Sequence, residues 1–179
     1  MDKYIIVTLL KGPAKKKQEG LLREISELFG VVEGFLHNPP AHITLKYPFE
    51  TNDITYVLDF LHEFTMGMKS FTYEIEGFDH FDKDVIFMDV PDQYGPLREV
   101  YDELISEFRG MKKFSMGDFD GVSHFHATVA RDDISEKFDS IWEFVSEKEY
   151  SIEQIFDNIS ILKLVNDKWV LFKEVKLKK

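Results

Sequence analysis

With 179 residues and a mass of 21.0 kDa, the chain has room for one well-formed core and too little for two large domains. Its 44% hydrophobic and 15% aromatic content, with 17 Phe, excludes disorder as a description of the whole. A formal charge of -11 leaves no global excess of cations to release counterions from a long polyanion, and the lack of cysteine excludes disulfide frameworks, thiolate zinc sites and cysteine nucleophiles.

Taken in chain order, the β-branched and aliphatic run Tyr4 to Leu10 predicts a buried first strand, which Gly12 and Pro13 break. The opening MDKYIIVTLLKG is too short in apolar length for a signal sequence or a membrane span, so the expected location is cytoplasmic. Leu21, Leu22, Ile25 and Leu28 place an apolar stripe on a helix from about Lys15 to Phe29. Gly30 and Gly34 then loosen the chain, and Asn38, Pro39 and Pro40 form a stiff lead-in to a strand candidate, AHITLKYPF. Asp53 is placed to cap a helix reaching about Phe64, with Val57, Leu58, Leu61 and Phe64 at helical intervals.

Phe71 to Phe78 and Val85 to Val90 read as the arms of a hairpin around the polar turn Asp79 to Asp84, ended by Pro91. Leu97, Val100, Tyr101, Leu104, Ile105 and Phe108 mark a further amphipathic helix closed by Gly110, and the aperiodic stretch Met111 to Gly121 reads as a loop. Beyond it lie a strand from Val122 to Arg131, a helix from Ser135 to Lys148 bearing Phe138, Ile141, Trp142 and Val145, and a strand from Tyr150 to Phe156. The tail reads as a hairpin with arms Ile159 to Val165 and Trp169 to Val175, turning at Asn166 and Asp167. This mixed order predicts an α+β fold with largely antiparallel sheet and no linker dividing it.

Two strands share a pattern. A period of two puts His42, Thr44 and Lys46 on one face and Ile43, Leu45 and Tyr47 on the other; likewise His124, His126, Thr128 and Ala130 oppose Phe125, Ala127 and Val129. One His-x-Thr triplet in a chain with six His carries little weight, but two copies, each with an apolar middle residue and an aliphatic residue after the Thr, form a pair.

The segments AHITL and FHATV resemble the paired His-x-Thr signatures of the two-histidine (2H) phosphoesterase superfamily, which includes 2'-5' RNA ligases and cyclic nucleotide phosphodiesterases. The resemblance implies two similar lobes related by a pseudo-twofold axis, antiparallel sheets flanked by helices, and a central cleft to which each lobe contributes one motif. Nearly the whole chain suits that order, although the aromatic-rich stretch Phe71 to Met88 has no evident counterpart.

The residue types fit phosphodiester chemistry. In-line displacement at phosphorus needs a base for the attacking oxygen and an acid for the leaving one, and imidazole serves as either near its ordinary pKa of about 6.5. His42 and His126 are therefore the candidate catalytic pair, acting without a metal, and the Thr44 and Thr128 hydroxyls the candidate donors to the nonbridging oxygens. Lys46 shares the His42 face and is a candidate phosphate contact; Arg131, on the other parity, is a candidate for substrate or for an ion pair. Tyr47, Phe49 and Phe125 are candidates for stacking on a base, against the ordinary role of strand aromatics as core.

His124 and His126 also form a His-x-His pair that holds zinc where a third ligand joins, with Asp118 and Asp120 near in sequence. His37, His62 and His80 are expected to carry no chemistry, and the basic runs Lys11 to Lys17 and Lys173 to Lys179 to be solvated surface. The expected substrate is a 2',3'-cyclic or 2'-5' phosphodiester in a small nucleotide or an RNA terminus, with no cofactor, membrane or long duplex involved. An RNA- or nucleotide-binding module without turnover and a zinc hydrolase built on His124 and His126 are the alternatives, the latter separable by its sensitivity to chelator.

Overall fold

A computed structural model describes residues 1–31, 39–92, 94–111, 114, 116–121 and 124–178 of the chain. Among these, nine strands and four helices form an α+β architecture in which every strand pairing is antiparallel. β1 (Asp2–Leu9) lies at the centre of a four-stranded sheet ordered β2-β1-β8-β9, with β2 at His42–Thr51, β8 at Asn158–Val165 and β9 at Lys168–Lys176. β4 (Phe78–Phe81), β5 (Val85–Asp89) and β6 (His126–Arg131) make a three-stranded sheet, and β3 (Phe71–Glu76) pairs with β7 (Ser151–Phe156).

The helices are α1 (Gly12–Phe29), α2 (Thr55–Phe64), α3 (Pro96–Gly110) and α4 (Phe138–Ser146). α1 starts earlier than its apolar stripe predicts, because Pro13 sits in the first turn where a missing N–H costs nothing. It ends at Gly30, whose φ of 65° and N–H to the Ser26 carbonyl close the last turn in the left-handed conformation. Asp53 acts one residue outside α2, its carboxylate accepting from the Thr55 N–H at 3.0 Å.

The predicted hairpin of Phe71 to Phe78 with Val85 to Val90 does not form. Gly77, at φ 67°, breaks the run, so β3 leaves to pair with β7 while only Phe78–Phe81 turns back onto β5. Period-two alternation continues across the break and hides it from the sequence. The tail hairpin forms as expected, with Asn166 and Asp167 both at positive φ in the turn. Val122 and Ser123 of the predicted strand, like Gly34, His37 and Asn38, lie outside the described residues.

Helix packing couples the two strand systems. α1 follows β1 in the chain yet packs against β6, and α3 precedes β6 yet packs against β2. One apolar cluster accordingly runs through both halves, from Ile6, Ile43 and Leu45 to Ile86, Ala127 and Val129, all buried. A second, small cluster of Ile5, Val7 and Leu162 with Leu9 and Trp169 lines the opposite face of the β1 sheet. That face carries the site. No helix among the described residues is long and apolar enough to cross a membrane.

Candidate active site

The two His-x-Thr strands are bent by the same device at the same place. In β2, Thr44 opposes Val7 and Lys46 opposes Ile6, leaving Leu45 as an extra residue; in β6, Thr128 opposes Phe87 and Ala130 opposes Ile86, leaving Val129 as an extra. Each bulge therefore falls one residue past the threonine and reverses the alternation beyond it. Before the bulge His42, Thr44, His126 and Thr128 face the cleft; after it Tyr47 and Arg131 do, while Lys46 and Ala130 turn into the core.

This corrects the expectation for Lys46. Its side chain is fully buried and its ammonium donates to Asp120 at 2.7 Å, so it contacts no substrate in the cleft. Asp120 also accepts from the backbone N–H groups of Tyr47, at 3.1 Å, and Gly117, at 2.6 Å. The buried pair thus fastens the 116–121 segment to β2 beside Tyr47. Phe49 and Phe125 take the ordinary core role of strand aromatics: both are 2% exposed, Phe49 packing on Phe108 and Phe114, and Phe125 against Tyr101 and the Arg98 guanidinium.

His42 and His126 line one cavity of about 220 Å³ together with Thr44, Thr128, Tyr47 and Arg131. Their rings are held alike. His42 donates from Nδ1 to the Pro40 carbonyl at 2.8 Å, and His126 from Nδ1 to the His124 carbonyl at 2.7 Å, in each case two residues back along the strand. A carbonyl only accepts, so both Nδ1 atoms carry the proton and both Nε2 atoms are left for proton exchange with a ligand.

Burial pushes the His42 imidazole down to about 4; its bond to Pro40 opposes that, and the charges of His126 and Arg131 add to it. Burial likewise holds His126 below its ordinary range, with the His124 carbonyl raising it, the His124 charge lowering it and the Asp89 carboxylate raising it. Asp89 is engaged by His124 Nε2 at 2.6 Å. Two neutral imidazoles beside a guanidinium form a cleft ready to accept an anion, whose charge would draw protons onto them.

Arg131 also pairs with its neighbour Asp132 at 3.0 Å, so its ion pair and its place in the cleft coexist. A second chamber of about 350 Å³ adjoins the first, sharing Tyr47, His126, Thr128 and Arg131 and adding Phe81, Val85, Phe119 and His124. Phe81 is 40% and Phe119 65% exposed, and Tyr47 packs on Phe119 with ring centres 5.4 Å apart. Part of the Phe71 to Met88 stretch therefore builds the site.

Other candidates fall away from the chemistry. His62 is exposed on α2, and His80 donates to the Asp82 carbonyl while packing against Phe138 and Trp142. His37 lies outside the described residues. For zinc at His124 and His126, Asp120 is committed to Lys46 and Asp118 is exposed; among the described residues no group of three or more His, Asp or Glu is placed to hold a metal ion. Lys11, from the first basic run, is tied to Asp157 and Glu174 rather than solvated alone.

Sequence reasoning missed Gln18, Trp169, Phe81, Phe119 and Asp89. Gln18 alone left a signal: it occupies the buried stripe of α1 between Ala14 and Leu21, where a polar residue breaks the pattern.

A family model described as the 2'-5' RNA ligase superfamily matches residues 18–168. The fold is similar to that of Escherichia coli LigT in crystal structures complexed with 3'-AMP (TM-score 0.60, 10% identity) and with ATP (TM-score 0.56, 12% identity), each alignment covering 99% of both chains. It is also similar to Kluyveromyces marxianus Usb1, with a TM-score of 0.51 and 12% identity over 99% of this chain and 98% of that one. No curated protein sequence matches.

Proposed function

The chain belongs to the 2'-5' RNA ligase superfamily, the two-histidine phosphoesterases, and from that membership we propose that it is a metal-independent phosphoesterase acting on 2',3'-cyclic or 2'-5' phosphodiester bonds of small nucleotides or RNA ends. The observation that carries this reading is the matched tethering of two imidazoles, each fixed through Nδ1 to the carbonyl two residues before it, on one cavity.

In the hydrolytic direction, Nε2 of His42 takes the proton from the attacking water as the new P–O bond forms. Nε2–H of His126 gives a proton to the oxygen that leaves as the old bond breaks. The electrostatics support this order, because the Asp89 carboxylate opposes the lowering of His126 by burial and by the His124 charge, whereas the charges on His126 and Arg131 add to the lowering of His42. Thr44 and Thr128 hydroxyls donate to the nonbridging oxygens, and Arg131 offsets their charge. In the reverse direction the two histidines exchange roles.

The ring-lined second chamber suits a base stacked near Tyr47 and Phe119, and nucleotides bound to LigT, 3'-AMP and ATP, support a ligand of that class. The reading takes residues 1–179 as one two-lobed unit acting in the cytoplasm, for which a chain without cysteine is suited.

The test is turnover of a panel of 2',3'-cyclic and linear 2'-5' diesters by wild type, His42→Ala and His126→Ala. Each substitution is expected to lower kcat by about 10²–10⁴-fold with the fold retained. Turnover that survives both changes would remove the paired-histidine mechanism.

A further inference from the structure

Gln18 is the polar side chain that the paired-histidine mechanism does not use, although it borders the same cavity as His42, Thr44, His126 and Thr128. It is 2% exposed. Its Nε2 donates to the Thr128 carbonyl at 2.8 Å, which fixes the amide orientation, since a carbonyl cannot accept from Oε1. Oε1 is thereby left as a buried acceptor without a hydrogen-bond partner among the described residues. A desolvated acceptor of this kind costs about 1–3 kcal/mol until a donor reaches it.

Gln18 lines the cavity beside Thr128, so a ligand held there is a source of that donor. A phosphodiester offers only acceptors there at neutral pH. On a ribonucleotide, the donor nearest the phosphorus is the free hydroxyl on the neighbouring ribose carbon. Building on the phosphoesterase reading, we propose that Gln18 is a specificity residue whose side-chain carbonyl accepts a hydrogen bond from the ribose hydroxyl vicinal to the phosphate, so that the cleft selects linear ribonucleotide phosphoesters.

The stereochemistry permits it. The last torsion of a glutamine side chain is broad and soft, so Oε1 can turn to a ligand in the cavity that Gln18 lines, exchanging the Thr128 bond for the new one while α1 stays packed on β6. A 2',3'-cyclic phosphate has both vicinal oxygens esterified and leaves Oε1 unpaired until the leaving oxygen is protonated. A deoxyribose never pairs it. The site therefore discriminates by leaving its own buried group unsatisfied, the stronger of the two ways a pocket rejects an analogue.

Equilibrium binding tests this without turnover, by calorimetry with adenosine 3'-monophosphate, its 2'-deoxy analogue and its 2'-fluoro-2'-deoxy analogue. Wild type is expected to bind the hydroxyl form about tenfold more tightly than either analogue, because fluorine accepts but cannot donate. Gln18→Met is expected to bring the three within about twofold of one another. A residue that merely ties α1 to β6 would weaken all three ligands together, and that outcome overturns the proposal. So does a wild type that binds the fluoro and hydroxyl forms alike, or one that binds none of them, neither of which depends on the variant folding. Loss of the hydroxyl preference in Gln18→Met by a protein that turns over no diester would instead overturn the phosphoesterase reading and leave this one standing.

Discussion

His42 and His126 differ in their neighbours more than in their tethers. Acting as base, His42 has to be unprotonated, so kcat/KM rises as the pH climbs through about 4. Acting as acid, His126 has to be protonated, so kcat/KM falls as the pH passes its own value, which lies below the ordinary 6.5. The expected profile is a bell with its optimum on the acidic side of neutrality. Asp89→Asn removes the carboxylate that raises His126, so the alkaline limb is expected to move to lower pH while the acid limb stays. A pH–rate series on the two proteins measures both limbs, and an alkaline limb that stays or moves upward contradicts the assignment of His126 as the acid.

At this scale the sequence was legible in part. His-x-Thr on two amphipathic strands exposed the four residues at the centre of the cleft, because period-two alternation holds up to each threonine. Asp89 was invisible, since only the β5–β6 register brings it opposite His126.

Among the elements, the bulges at Leu45 and Val129 decide which side chains reach the substrate. Nothing in TLKY or TVAR marks an extra residue, so alternation carried Lys46 to the wrong face and placed Tyr47 and Arg131, both candidates for substrate contact, on the face away from it. The bulge in β2 delivers Lys46 to a fully buried pair with Asp120, and Asp120 satisfies two backbone N–H groups besides. Removing Asp120 takes the counter-charge from a buried ammonium that keeps its bond to the Tyr47 carbonyl, and takes the acceptor from two backbone N–H groups, whereas removing Lys46 leaves the carboxylate its two N–H partners. Asp120→Ala is therefore expected to cost about 3–5 kcal/mol and Lys46→Met less, both read from urea unfolding. The reverse order would show that the pair does not anchor the 116–121 segment in this way. The elements themselves were largely legible, because apolar stripes located all four helices, while Gly77 divided a strand run that looked continuous.

For the whole molecule, the sequence offered the repeat of a motif but not the way its copies meet. α1 and α3 each pack against the motif strand of the other half, so the two sheets cannot move apart without opening the shared core. That exchange is a long-range property, carried by no local pattern. It turns two similar strands into one cleft, with matched Nδ1 tethers holding two imidazoles on the same cavity.

The most direct measurement of that arrangement is a titration of the protein with inorganic phosphate, followed by NMR of the imidazole nitrogens of His42 and His126. One anion between two rings is expected to shift both Nε2 signals along one binding curve and to raise both pKa values together. Two separate binding curves, or a response from one ring alone, would contradict a shared phosphate site.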